Sequence, residues 1–243
     1  MMKDNIRVAS YNMRKARGLD QRHMPERILQ VINLLNADIV VLQEADFRLG
    51  ARLSALPRAM IEQETDFQVV DVAQNGVSLG WHGNAILLRK GISAAAVHPL
   101  TLPGLEPRGA VRLDLDLGAR LSVVATHLGL RRKDRRAQLT ALQAATQGSH
   151  HTLIAGDFNE WSRTKGFEPL EPRFVVHTPG RSFHASRPIA ALDRFALSEG
   201  LRMQDAGVEQ GALARRASDH LPIWADIELP LLKYDAEDCL AAS

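Results

Sequence analysis

Asp38-Ile39-Val40-Val41-Leu42-Gln43, closed by Glu44, is the stretch on which the fold reading turns. Four apolar residues in an unbroken run need cover on both faces, as a strand inside a layered α/β structure has. Upstream, residues 6–11 alternate apolar and polar and read as a strand. Between the two, residues 24–35 place Ile28, Val31, Ile32 and Leu35 at helical spacing, with Pro25 suited to a first turn. The chain therefore opens β-α-β.

Working outward, strands are expected at 67–72, 85–89, 111–117, 121–126, 152–155, 192–197 and 221–227, and a helix at 134–147. Gly118-Ala119-Arg120 separates two alternating segments and signals an antiparallel hairpin. Residues 99–109 and 179–188 read as loops, and the tail from Leu232 has weak periodicity. A β-α-β start mixed with hairpins points to an α/β (α+β) chain of mixed sheets covered by helices. No repeat or linker divides the 243 residues, so a single domain spanning 1–243, with a core of about 6–228, is expected.

Composition narrows the class. Hydrophobic residues at 45% and charged residues at 24% exclude a disordered or coiled-coil chain. A net charge of +2, from 30 basic and 28 acidic residues, is not that of a nucleic-acid coat. The lone Cys239 excludes an intramolecular disulfide and a cysteine zinc site, which suits a cytoplasmic location. No apolar run is long enough to span a membrane, and Met1-Met2-Lys3-Asp4-Asn5 lacks the apolar run of a secretory signal. Nothing implies an obligate protein partner.

Polar groups cluster where the buried strands end. Asn12 follows the first strand, Gln43-Glu44 the second, and Gly156-Asp157-Phe158-Asn159 the strand at 152–155, while Ser218-Asp219-His220 precedes the last strand. Singly, each reads as a cap or turn residue. Together with His127 they supply carboxylates, amides and imidazoles at sheet edges, where α/β folds place ligands. An oxygen-rich set of this kind suits Mg²⁺ or Mn²⁺ rather than zinc. No H-E-x-x-H pair occurs, which counts against a zinc hydrolase.

In order along the chain, Ser10-Tyr11-Asn12, Gln43-Glu44, Gly83-Asn84-Ala85-Ile86-Leu87, Thr126-His127-Leu128, Gly156-Asp157-Phe158-Asn159, Leu192-Asp193-Arg194-Phe195 and Ser218-Asp219-His220-Leu221-Pro222-Ile223 resemble the motifs of the endonuclease/exonuclease/phosphatase, or DNase I-like, superfamily. Glu106-Pro107-Arg108-Gly109-Ala110, Arg135-Arg136-Ala137-Gln138-Leu139 and Glu160-Trp161 after the GDFN run resemble a small bacterial branch of it. The resemblance implies a four-layer sandwich, two packed mixed β-sheets flanked by helices. It also implies a Mg²⁺-dependent phosphoesterase, Mn²⁺ substituting, that hydrolyses phosphodiesters by metal-assisted attack of water.

The resemblance assigns Glu44 as the main metal ligand and Asp219 as another metal-site carboxylate, with Asn12 helping to hold the metal or the scissile phosphate. Asp157 would orient or deprotonate the water, and Asn159 would donate to phosphoryl oxygens. His220 would contact the phosphate with Asp193 orienting its ring, and His127 would help protonate the leaving oxygen. Arg108 and Asn84 are further candidates for phosphate contact. The remaining histidines, His150-His151 among them, are expected in surface or packing roles.

The substrate class stays open between lipid or small-molecule diesters and DNA or RNA. Few aromatic residues for stacking and a small net charge place the small diesters first. The run Arg131-Arg132-Lys133-Asp134-Arg135-Arg136 reads either as a phosphate-backbone clamp or as a solvated helix entrance. An inactive binding module on the same scaffold is disfavoured by the presence of Glu44, Asp157 and His220.

Overall fold

The computed structural model describes residues 5–149 and 151–230. His150, the first four residues, the tail from Leu232 and Cys239 lie outside the described residues. Twelve strands form two six-stranded sheets among the described residues.

The first sheet contains β1 (Asn5–Asn12), β2 (Ile39–Gln43), β3 (Phe67–Val69), β4 (Ala85–Arg89), β11 (Arg202–Val208) and β12 (Ile223–Glu228), in the order β11-β12-β1-β2-β4-β3. The second contains β5 (Ala94–Thr101), β6 (Gly109–Asp116), β7 (Arg120–His127), β8 (His151–Asp157), β9 (Phe174–His177) and β10 (Asp193–Ser198), in the order β5-β6-β7-β8-β10-β9. Each sheet holds one parallel pair, β1 with β2 and β7 with β8. Each pair is joined by a crossover helix, α1 (Pro25–Leu34) and α3 (Arg132–Ala145) respectively. Antiparallel partners complete both sheets, as the expected mixed sandwich requires.

Alternation along the strands explains the layering. Ile6, Val8, Ile39 and Val41 face the other sheet and pack with Val111, Val123, Leu153, Phe195 and Ile227. Their neighbours Ala9, Tyr11, Val40 and Leu42 face outward, under Ile28, Val31 and Ile32 of α1. On the second sheet, Val124, Ile154 and Ala196 lie under Leu139 and Leu142 of α3. A central strand is thus buried on both faces, which is why the 39–42 run is continuous. Truncating Leu153 to Ala inside this interface should cost about 2–5 kcal/mol.

The structure corrects several expectations. Residues 99–109 are not all loop: β5 runs to Thr101, with Pro99 on the outer edge where no ladder donor is needed. Strands β9 and β11 and the short helix α2 (Arg58–Glu64) were not expected at all. The strand expected at 67–72 ends at Val69, and the last strand starts at Ile223, after Pro222. The short helix α4 (Ala214–Ala217) leads into the segment that carries Ser218, Asp219 and His220.

Candidate active site

The strand ends that carry polar side chains meet at one end of the sandwich. Asn12 lies beside Gln43 in the β1–β2 register, and His127 lies beside Asp157 in the β7–β8 register. β10 runs opposite to β8, so its first residue, Asp193, also faces Asp157. Gly156 lets this happen: at φ 152° it passes so close to β7 that a Cβ would sit 1.8 Å from the Thr126 carbonyl oxygen.

Asp157 is the hub of a buried cluster. Its Oδ1 accepts the Asn159 backbone N–H at 2.9 Å, and its Oδ2 accepts Asn12 Nδ2 at 3.1 Å. The same Oδ2 lies 3.4 Å from His127 Nε2 and 3.7 Å from His220 Nε2. The far side of the His220 ring is fixed, with Nδ1 donating to Asp193 Oδ2 at 2.9 Å. Ser182 Oγ donates to the same oxygen at 2.5 Å. Ser218 Oγ ties the His220 loop to β1 by donating to the Asn12 carbonyl at 2.7 Å. Asn159 Nδ2 donates to the Leu128 carbonyl at 2.9 Å, leaving its second N–H for a ligand.

Burial and charge set different protonation states within this cluster. Burial pulls the His220 imidazole down, but the charges of Asp193 and Asp157 outweigh it and raise it to about 10. Burial pushes the Asp157 carboxyl up to about 6, against the opposing pull of the His220 charge. His127 is held well below the ordinary histidine range by burial first, then by the charges of Arg108 and His220. The cluster thus favours the cationic form of His220 and the neutral form of His127, and it eases proton uptake by Asp157.

The second group faces solvent more. Glu44 follows β2 at φ 54°, and its carboxylate is paired with the Lys15 ammonium and lies 3.5 Å from Arg48. Burial would raise Glu44, but the Lys15 bond and charge outweigh it and hold it below the usual carboxylate range. Next along the chain from Lys15, Arg14 lies 3.5 Å from Asp219. The turn that presents both cations has Arg14, Lys15 and Ala16 all at positive φ. Among the described residues nine non-glycines have positive φ, and seven of them, these three with Glu44, Arg52, His82 and Asn159, surround this site. Such strain concentrates where function demands a fixed geometry.

The structure thus brings together Asn12, Glu44, His127, Asp157, Asn159, Asp193, Asp219 and His220. Arg108 joins them, buried at the wall of a pocket that also includes Glu44 and His127. Asn84 is fully buried, with Nδ2 donating to the Gly109 carbonyl at 2.9 Å and to that of Trp81 at 3.3 Å. It joins the loop before β4 to β6, a positioning role rather than a phosphate contact. Of the run at 131–136, Arg135 is buried on Glu160 at 2.7 Å and Arg136 pairs with Glu168 at 2.9 Å, so only Arg131, Arg132 and Lys133 stay free in solvent.

Sequence reasoning missed several neighbours. Arg14 and Lys15 follow Asn12 with only Met13 between, and that closeness in sequence was the available signal. His82, expected in a surface or packing role, lines the Glu44 pocket. Ser182 and Phe183 lie in the 179–188 segment, and Phe183 bridges to both Ala190 and His220. The Phe183 ring lies 5.0 Å from that of His220, and the exposed Trp161 stands edge-on to Phe183 at 6.1 Å. A low aromatic content therefore still leaves one aromatic shelf at the mouth of the site.

Among the described residues one group of three side chains is spaced to hold a metal ion. Asp157, Asp193 and His220 each offer one ligand atom, all within 4.8 Å of one another. Glu44 and Asp219 offer carboxylate oxygens that fit a hard divalent cation, and in this structure each is faced by a positive side chain of the 14–16 turn.

Comparison with known proteins bears on the family and the fold. A model of the Endonuclease/Exonuclease/phosphatase family matches residues 9–220. Members of that family are metal-dependent phosphoesterases. The chain is 27% identical over 250 residues to the uncharacterized protein YbhP of Escherichia coli (strain K12), covering 93% of this chain and 97% of that protein. Among solved structures, an endonuclease/exonuclease/phosphatase from Bacteroides vulgatus superposes with a TM-score of 0.75 at 19% identity, covering 93% of this chain and 100% of that one. TDP2 of D. rerio, complexed with a single strand DNA product, superposes with a TM-score of 0.72 at 15% identity, covering 93% and 100%. At those identities the solved structures speak for the fold alone.

Proposed function

The chain belongs to the endonuclease/exonuclease/phosphatase family, and from that premise we propose that it is a Mg²⁺-dependent phosphodiesterase acting on small-molecule or lipid diesters. The observation that carries this reading is the division of the site. One side presents carboxylates faced by cations, and the other buries a cationic His220 against Asp193 with Asp157 between the histidines.

Glu44 and Asp219 would hold the metal, with Asn12 between them and Asp157. The metal would neutralise charge on the phosphate and its leaving oxygen. Asp157, in its ionised form, takes the proton of the attacking water at Oδ2. His220 is fixed by Asp193 and cationic, so it stabilises the charge that grows on the phosphoryl oxygens and supplies a proton. Neutral His127 holds Asp157 in place and contacts the leaving group. In this reading His220, whose ring Asp193 fixes, takes the acid role, with His127 beside it.

A nuclease is the second reading, and the Trp161–Phe183 shelf beside His220 favours it because base stacking needs such a surface. The short free cationic stretch Arg131–Lys133 disfavours it, since gripping a polyanion takes several phosphate contacts. An activity panel with Mg²⁺ and Mn²⁺ decides between them. It should contain bis(p-nitrophenyl) phosphate, an aryl monoester, phospholipids, plasmid DNA, single-stranded DNA and RNA. Turnover of small or lipid diesters that barely responds to salt supports the first reading. Efficient cleavage of nucleic acid that falls steeply with salt, with no turnover of the others, replaces it with the second.

A further inference from the structure

On the Glu44 flank the site opens into a pocket of about 250 Å³ lined by the cations Lys15, Arg48, Arg52 and Arg108 and by three acids. The acids on the same wall are already engaged. Glu44 is paired with Lys15, and Asp46 accepts the backbone N–H groups of Leu79 and Gly80 at 2.6 and 3.4 Å. Glu106 accepts from Arg108 and from the Leu130 N–H, both at 2.8 Å.

Several of the cations have donors to spare. Arg48 is 58% exposed and reaches Glu44 only at 3.5 Å. Arg108 is buried, and its Nε has no partner. Arg52 Nη1 lies 3.3 Å from His82 Nδ1, but that nitrogen is also 2.9 Å from the Pro107 carbonyl. Nδ1 donates to Pro107 only when it carries a hydrogen, and then it has no lone pair for Arg52. The shorter contact decides the tautomer, so among the described residues the Arg52 guanidinium has no hydrogen-bond acceptor, with the Asp46 charge nearby. Arg52 and His82 both hold positive φ, which the surrounding loops must maintain.

We propose that this pocket is a subsite for a second phosphate of the substrate, a phosphomonoester carried on one arm of the diester that is cut beside it. The inference deepens the phosphodiesterase reading and rests on it. Guanidinium forks match the oxygens of a phosphate in pairs. A carboxylate would satisfy one fork, whereas a phosphomonoester has three free oxygens for Arg52, Arg108 and the rim residue Arg48. The volume admits a phosphate on a small carrier and is below that of a drug-sized site. It is too small for a base pair.

The test uses two substrates that differ by one phosphate. Thymidine 5′-(p-nitrophenyl phosphate) lacks the second phosphate, and its 3′-phosphorylated form carries it. Wild-type protein with Mg²⁺ should cleave the phosphorylated form with a kcat/KM higher by about tenfold or more, the scale of charge-assisted bonds. In the double variant Arg48→Ala, Arg52→Ala the preference should shrink to about twofold or less. Equal kcat/KM values in the wild type, or a preference that survives in the double variant, overturn the subsite. Bis(p-nitrophenyl) phosphate reports the diesterase reading separately. If all three compounds stay uncut with Mg²⁺ and with Mn²⁺, that reading fails, and calorimetry with inorganic phosphate on the metal-free protein then judges the subsite. Binding that weakens about tenfold in the double variant supports it, and binding that is absent or unchanged overturns it.

Discussion

The two β-α-β units, β1-α1-β2 and β7-α3-β8, have the same topology and end at the same edge of the molecule, yet they end in opposite electrostatic conditions. The first closes on Glu44, whose side chain is 16% exposed and held ionised by Lys15 and Arg48. The second closes on Asp157, whose side chain is 2% exposed and raised towards neutrality by burial. One fold motif, used twice, thus yields a carboxylate suited to a cation and a carboxylate suited to moving a proton. The difference comes from the company each acid keeps: a strained turn of cations beside one, two imidazoles and a second aspartate beside the other.

The largest effects are expected in the second unit. Asp157→Asn and His220→Ala should each lower kcat by about 10³–10⁴-fold, the scale of a lost acid or base, with folding intact by circular dichroism. A folded variant that kept most of its turnover would remove that residue from the proton-handling half. Glu44→Gln should lower activity by about 10²-fold or more at low Mg²⁺ and recover in part as Mg²⁺ is raised, since ligand defects act through metal affinity. A defect that no metal concentration relieves would erase the distinction between the two units.

A pH profile sharpens the contrast further. Asp157 works ionised and His220 works protonated, so activity should rise as pH climbs through about 6 and fall as it climbs through about 10. Asp193→Asn removes the charge that holds the His220 proton, so the alkaline limb should move down by about one pH unit or more, and the acid limb should also move down because the Asp193 charge helps to raise Asp157. An unmoved alkaline limb would show that Asp193 does not act on His220.

The smallest contrast lies in the helices. Each crossover helix carries an arginine that ties down a neighbouring loop: Arg27 of α1 on Asp20, and Arg135 of α3 on Glu160. Glu160 and Arg135 are both buried, so Arg135→Ala leaves an uncompensated charge and should cost about 3 kcal/mol in chemical denaturation. Arg27→Ala should cost less, because Asp20 can turn to water. The reverse order would mean that the first unit, not the second, is the tighter anchor.

The sequence made the centre of each sheet legible and its edges obscure. Strands such as β2 and β8 are buried on both faces and show as apolar runs, and β6 and β7 alternate across a glycine turn. β5 and β11 are largely solvated edges, so little apolar pattern marks them. The candidate site followed the same logic. Residues at the ends of central strands were found because the strands were. Arg52, His82, Ser182 and Phe183 reach the site through loops, and only long-range folding brings them there. Asn84 stood inside a motif for a structural reason, as the clamp on Gly109.

The central claim is that metal binding belongs to the Glu44 end and proton handling to the Asp157 end. Calorimetric titration of Mn²⁺ into wild type, Glu44→Gln and Asp157→Asn, with each variant's folding checked in parallel, tests it most directly. The account predicts that Glu44→Gln weakens Mn²⁺ binding by about 100-fold or more, while Asp157→Asn binds within about threefold of wild type yet loses about 10³–10⁴-fold in kcat. Wild-type affinity in Glu44→Gln together with lost binding in Asp157→Asn would place the metal in the Asp157–Asp193–His220 triangle and contradict the account.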